Sequence, residues 1–251
     1  MAQQKGHLPV KGRIGNLSFY KTRDGFLIKD KGGIDKNRIA SDPKFQRTRE
    51  NGAEFGRAGK AGKLLRNAVK AVSQKSSDGR AVSRLTKQMM TVLKTDTESR
   101  RGERNVVNGN IELLQGFQFN INAVLDTTFY APFTAVIDRA TGNLSIEIEG
   151  FVPENMVAKP EGATHFEIIS AGAEVDFEGN VYVASNSKSA AMPWNHLETA
   201  PISLENVVTA NSTLPLFLLL GIEFFQEVNG ERYSLRNGGF NSLAIVMISG
   251  Q

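Results

Sequence analysis

No cysteine occurs among the 251 residues. Disulfides, thiolate metal ligands and thiol nucleophiles are therefore excluded. Histidine is scarce as well: His7, His165 and His196 fall in an arm, a strand and a loop. No two of them have the i, i+4 spacing of a helical metal site, and no metal or other cofactor is expected. No Gly-x-Ser-x-Gly turn supports an assembled Ser–His–Asp site, so each histidine reads as an ordinary surface or hydrogen-bonded residue. A long apolar run is missing too. The longest, Leu214 to Phe225, is interrupted by Pro215, Gly221 and Glu223, whereas a bilayer span needs roughly 20 apolar residues. The opening MAQQKGHLPVKGR is basic with no apolar stretch behind it. The expectation is a chain without a signal peptide, cytoplasmic at synthesis and part of a larger particle or filament thereafter.

Charge is plentiful and segregated. The net charge is only +4. Residues 1–105, however, hold 25 Lys and Arg against 10 Asp and Glu, a balance of +15, while residues 106–251 hold 5 against 16, a balance of −11. Like charges crowded together repel, so the basic half seeks an anionic neighbour. Three are open: the acidic half of the same chain, the acidic half of another copy, or a polyanion such as nucleic acid. With 40% hydrophobic and 22% charged residues, the composition is that of a folded protein.

Along the chain, Gly6, Pro9 and Gly12 argue for an extended arm over 1–13. Residues 14–30 read as a β-hairpin around Thr22-Arg23-Asp24-Gly25, and Asp-Gly is a strong tight-turn signal. Such a hairpin is too small to stand alone. Ser41-Asp42-Pro43 is a helix start, with a capping oxygen and a proline where its missing N–H costs nothing. Phe55, Ala58, Gly62, Leu65, Val69 and Val72 then form one helix face. A second helix from about Asp78 carries Val82, Leu85, Met89 and Val92, completing a helical hairpin. Gly52, Gly56, Gly59 and Gly62 are unusual inside a helix. Each costs roughly 0.5–1 kcal/mol relative to Ala, so the strip predicts a backbone packed close against it.

From residue 117 the period becomes two. Phe117, Phe119, Ile121 and Ala123 begin a series of at least seven short strands with Gly/Asn turns, and Phe151, Trp194 and Phe217 are candidates for their core. The expected fold is α+β: an N-terminal arm, β-hairpin and helical hairpin, followed by an immunoglobulin-like antiparallel β-sandwich. Three domains are expected, a basic arm and hairpin over 1–40, a basic helical hairpin over 41–105 and an acidic β-sandwich over 106–251.

Gly56-Arg57-Ala58-Gly59-Lys60-Ala61-Gly62-Lys63-Leu64 resembles a phosphate loop, but Arg57 stands where the first glycine belongs and Leu64 where a hydroxyl should hold Mg²⁺. No strand precedes it, so a nucleotide loop is not expected. Glu147 and Glu149 alternate on one strand and read as its solvated side. Basic residues near aromatics remain. Lys11, Arg13, Lys21, Arg23, Lys29 and Lys31 surround Phe19, Tyr20 and Phe26, and Arg47, Arg49, Arg57, Lys60, Lys63, Arg66 and Lys70 crowd the helices. Cations beside aromatics can hold phosphates while the rings stack bases.

The stretches Gly12–Gly33 (GRIGNLSFYKTRDGFLIKDKGG) and Ser41–Arg66 (SDPKFQRTRENGAEFGRAGKAGKLLR) resemble an uncharacterised family of bacterial proteins. That family carries an N-terminal Gly-x-x-Gly-Asn hairpin, a glycine-punctuated basic segment and a C-terminal β-domain. The resemblance implies this architecture and no catalytic residues. The expected function is therefore that of a non-enzymatic structural protein. It would self-assemble head to tail as filament, ring or particle, its basic N-terminal region packing on the acidic β-domain of a neighbour. The alternative is a non-sequence-specific nucleic-acid-binding or packaging protein. The expected assembly interface is Phe19, Tyr20, Phe26, Gly52, Phe55, Gly56, Gly59, Gly62 and Leu65. The expected basic contact surface is Lys11, Arg13, Arg47, Arg49, Arg57, Lys60, Lys63 and Arg66.

Overall fold

A computed structural model describes residues 2–4, 9–30 and 33–250; His7 and Lys31 lie outside them. The chain divides into two compact units, Met1–Arg49 and Glu50–Gln251.

The first unit is a small antiparallel sheet. Its strands β1 (Ala2–Gln3), β2 (Gly12–Ile14), β3 (Leu17–Thr22) and β4 (Gly25–Asp30) lie in the order β1-β4-β3-β2. Glycine makes the second turn possible: Gly25, at φ 113°, pairs with Thr22 to close β3 on β4. Directly paired residues share a face in an antiparallel ladder. Ile14 pairs with Leu17, Phe19 with Ile28 and Lys21 with Phe26. Ile14, Leu17, Phe19, Ile28 and Phe26 therefore line one side of the sheet. After it, α1 (Lys36–Ser41) is capped by Asp35, and Asp42 caps a short 3-10 turn at Pro43–Phe45 by accepting from the Lys44 N–H at 3.0 Å. None of the described residues up to Arg49 is buried.

The second unit is built on α2 (Gln46–Ala68), whose first turn still belongs to the first unit, α3 (Lys70–Ser73) and α4 (Ala81–Lys94). Its strands are β5 (Phe133–Asp138), β6 (Asn143–Ile148), β7 (His165–Asp176), β8 (Val181–Lys188), β9 (Met192–Pro193), β10 (Ile202–Val207), β11 (Leu216–Val228), β12 (Glu231–Ser234) and β13 (Ser242–Ser249). A three-stranded sheet has the order β10-β6-β5; the larger sheet runs β12-β11-β7-β8, with β13 also on β11 and β9 on β7. Every pairing is antiparallel, and the fold is α+β.

The large sheet is covered on both faces. Ile169, Ala171, Ala173 and Val175 of β7, with Phe217 and Leu219 of β11, join one core with Leu65, Leu85, Met89 and Leu93 of the helices. The alternate residues Phe166, Ile168, Leu218, Leu220, Ile222 and Phe224 join a second core with Leu144, Ile146 and Ile148 of the small sheet. Helices, large sheet and small sheet thus form three layers. The helical segment and the strands share a core, so a division at residue 105 would cut through it, and the compact unit begins at Glu50 instead.

Two details differ from the sequence expectation. The buried residues of α2 are Glu54, Ala58, Ala61, Gly62, Leu64, Leu65 and Ala68; Ala58, Gly62 and Leu65 of the expected face are thus buried, as are Val69 and Val72 beyond α2, while Phe55 is 60% exposed. Only the N-terminal end of the stripe departs: the buried Glu54, held by Arg104, takes the inward position and its neighbour Phe55 is exposed. Likewise Ala81 is buried in α4 and Val82 is half exposed. The segment from Phe117 forms no strand: Gln118 makes a single bridge to Ala244. Beyond it, the Asn120 side chain donates to the carbonyls of Gly239 and Asn241 and draws the chain out of register.

Truncating a core side chain of α2 and truncating its exposed ring should separate cleanly. In urea unfolding of dilute protein, Leu65→Ala is expected to cost about 2–5 kcal/mol, whereas Phe55→Ala stays within about 0.5 kcal/mol of the parent.

Candidate functional site

A cleft of about 930 Å³ opens between α2, residues 105–108 and the turn joining β7 to β8. α2 contributes Arg57, Lys60, Lys63 and Asn67; the facing wall contributes Phe177, Glu178, Asn180 and Tyr182. The turn has its shape because Asp176 accepts the N–H groups of Glu178 and Gly179, and Asn180 takes φ 56°, a left-handed conformation that asparagine tolerates.

The third wall is anchored by a buried clasp. Glu54 receives Arg104 in bidentate fashion, Nε to Oε1 at 2.8 Å and Nη2 to Oε2 at 2.9 Å, and also accepts from the Gly102 N–H at 2.7 Å. Arg57 donates to the carbonyls of Arg104 and Gly102. The bonds from Arg104 hold the Glu54 carboxyl below its ordinary range, against the opposing effect of burial. Asp96 closes the same loop by accepting from the N–H groups of Glu98, Ser99 and Asn105. Burial acts to raise its pKa, but the N–H donors together outweigh it and hold it at about 2.

The expected interface residues divide into three groups. Phe19, Tyr20 and Phe26 lie on the first unit's sheet, where Lys21 stands over the Phe26 ring at 5.4 Å and Lys29 over Tyr20 at 5.5 Å. Gly52, Phe55, Gly56 and Gly59 lie on the outer side of α2, and a Cβ built on any of these three glycines meets nothing within 4 Å. Gly62 and Leu65 face inward. A Cβ on Gly62 would stand 3.6 Å from Leu85, and Leu65 is fully buried, so Leu65 belongs to the core and cannot reach a neighbouring molecule.

The basic residues are likewise dispersed. Lys11 and Arg13 are exposed on the N-terminal sheet and its approach, and Arg47 is exposed at the start of α2. Arg49 donates to the carbonyls of Ile39 and Asp42, so it fastens the turn before α2. Arg57, Lys60 and Lys63 meet in the cleft, and Arg66 is half-buried. The phosphate-loop look-alike at 56–64 is continuous α-helix. What sequence reasoning missed is the acid side of the clasp: Glu54 and Asp96 carry no motif, and their roles depend on residues up to 50 positions away.

Other titratable groups have local partners. His165 lies 3.5 Å from Glu227 and His196 is exposed. Among the described residues no group of three metal-ligating side chains converges, and no helix is long and apolar enough to cross a membrane. Glu147 accepts from the Ser203 hydroxyl at 2.6 Å on the outer face of the small sheet. Glu223 pairs across β11–β7 with Glu167; burial raises its pKa, and Glu167 adds to the rise while Lys75 and Lys188 oppose it.

No family model and no curated protein matches the chain. Among solved structures, one from work on pH-induced modulation of Streptococcus parasanguinis adhesion by Fap1 fimbriae is similar over 47% of this chain and 87% of its own, at 12% identity and a TM-score of 0.24. A likeness at that level carries no argument about function.

Opposite pH signatures are expected from the two carboxyls. Asp96 is lowered in the fold, so its contribution is complete above the unfolded value near pH 4 and lost as pH falls towards 2. Asp96→Ala should therefore lose roughly 1–3 kcal/mol at neutral pH, and the deficit should shrink in acid; a deficit independent of pH would refute the assignment. Glu223 is raised, so its ionisation opposes folding. Glu223→Gln should melt higher than the parent at neutral pH and lose that advantage once the parent's carboxyl is protonated.

Proposed function

We propose that this chain is a non-enzymatic structural protein that self-assembles head to tail, its basic N-terminal region packing on the acidic β-rich part of the next copy. The observation that carries this reading is the apolar face of the N-terminal sheet. Ile14 and Leu17 are 62% and 43% exposed, Phe19, Phe26 and Ile28 are only half-buried, and none of the described residues of this unit is fully buried. Fully burying a side chain of this kind contributes roughly 1.5–3 kcal/mol, and a few strands without a covered face are not stable alone.

A second copy fits as the missing layer. Residues 1–49 hold 12 Lys and Arg against 4 Asp and Glu, a balance of +8. The β-rich part offers the opposite sign on the outer face of the small sheet. There Asp138, Glu147 and Glu205 surround Val136 and Val207, which are 45% and 61% exposed. In this reading the β-rich part is an immunoglobulin-like sandwich with helices laid over its larger sheet. Apolar contact supplies the free energy, and charge steers and registers it. The outer strip of α2, Gly52, Phe55, Gly56 and Gly59, adds a surface that another backbone can approach closely. Because donor and acceptor patches differ, the contact is heterologous and makes a ring or a filament.

Light scattering over a concentration series tests this. Multi-subunit particles are expected, with Ile14→Asp combined with Phe19→Asp reducing them to monomers. Glu147→Lys combined with Glu205→Lys should do the same and abolish the salt dependence of assembly. Gly56→Ala and Gly59→Ala should each stabilise the dilute chain by about 0.5–1 kcal/mol, the helix cost of glycine, while weakening the particle. A monodisperse monomer at high concentration and at every salt would end this reading.

A further inference from the structure

We infer that the cleft beside α2 is a binding site for single-stranded nucleic acid. This inference goes beyond self-assembly and concerns a different surface. Three observations carry it. The first is the arrangement of charge. Arg57, Lys60 and Lys63 follow one another at three-residue spacing along the cleft side of α2, which sets them about 4.5 Å apart along the helix axis. Lys60 and Lys63 are exposed, and among the described residues Glu178 is the single carboxylate lining the cleft. A row of cations with one opposing acid holds a polyanion by its backbone.

The second is the facing wall. Tyr182 is 45% exposed, and the neighbouring Phe177 ring is held edge-on against Phe217 at 6.3 Å. An exposed ring opposite a row of cations suits a strand whose phosphates face one wall and whose bases face the other. Asn67, Asn105, Asn108 and Asn180 also line the cleft, Asn105 with its Oδ1 already accepting from the Asn108 N–H at 2.9 Å. A carboxamide presents both donors and an acceptor, which matches the unpaired edges of bases in a single strand. An anionic polysaccharide would use the cations but not the base-edge pattern.

The third is preorganisation. The 105–108 wall follows directly on the Glu54–Arg104 and Asp96–Asn105 contacts, and Arg57 itself is fixed by the carbonyls of Gly102 and Arg104. Little ordering is left for the ligand to induce.

The test is fluorescence anisotropy on the full chain with a labelled single-stranded oligonucleotide of about ten nucleotides, within the ~4–16 of single-strand sites, over a salt series. Heparin and duplex DNA serve as competitors, and thermal melting checks that each variant is folded. Lys60→Glu combined with Lys63→Glu is expected to weaken binding at least about tenfold and to flatten the log–log salt slope by about 0.7 per lost phosphate contact. Tyr182→Ser is expected to weaken the single strand by roughly 5- to 100-fold, the range of one base–aromatic stack, and to leave heparin binding unchanged. No binding even at low salt would overturn the inference. So would undiminished binding by the charge-reversed variant, which would move the contact to another basic surface. Indifference to Tyr182→Ser with heparin competing as well as the oligonucleotide would overturn it in favour of an anionic polysaccharide.

Discussion

A sheet face must be covered by something apolar, and this single requirement organises the molecule. In the second unit the requirement is met inside the chain. The middle strands β7 and β11 are buried over most of their length because α2 and α4 lie on one side of the large sheet and β5, β6 and β10 on the other. Such doubly covered strands read as continuous apolar runs, which is why Leu216–Ile222 is so hydrophobic. In the first unit the requirement is not met. Its apolar face has the residues of a core and only partial burial. The proposed assembly follows from that difference between the units.

The hairpins were legible in the sequence because their signals are local. Asp24-Gly25, Thr141-Gly142-Asn143, Glu178-Gly179-Asn180 and Asn229-Gly230 each stand at or beside a turn between paired strands. The backbone confirms the chemistry at Asn180, Asn229 and Gly230, all with positive φ. The approaches to the two main helices were legible for a similar reason: Asp42 accepts from the Lys44 N–H in the 3-10 turn before α2, and Asp78 from the Arg80 N–H just before α4. The layering was not legible. Whether a helical pair stands apart or lies on a sheet depends on contacts between positions such as Leu65 and Phe217, and periodicity reports only that each has a buried side. The inward Glu54 and outward Phe55 hid for the same reason: a glutamate outranks a phenylalanine for burial only when an arginine arrives from 50 residues away. The cleft could be read only in part. Arg57, Lys60 and Lys63 were visible as a basic run, but the facing Tyr182 comes from a distant strand.

Charge segregation takes on a more specific meaning in the fold. Within the basic half, Glu54 pairs with Arg104, Asp78 with Arg84 and Glu50 with Arg101. Within the acidic half, Glu167 pairs with Lys188 and Glu227 with Arg232. These pairs use minority charges of each half locally, while three acids of the acidic half, Glu167, Glu174 and Glu223, are themselves buried. The helices of the basic half and the strands of the acidic half share an apolar core. Open space over Gly52, Gly56 and Gly59 is a weakness for an isolated helix and an advantage for one that receives a neighbour.

Hydrogen exchange of the backbone amides of 17–30, followed across a protein concentration series, measures the central claim most directly. If the N-terminal sheet obtains its missing layer from another copy, its amides exchange fast in dilute solution and become protected as concentration rises, while those of β7 and β11 stay protected throughout. Slow exchange of 17–30 at all dilutions would mean that the sheet is already covered within one chain. Fast exchange at every concentration would mean that no second copy covers it, and either result would contradict the account.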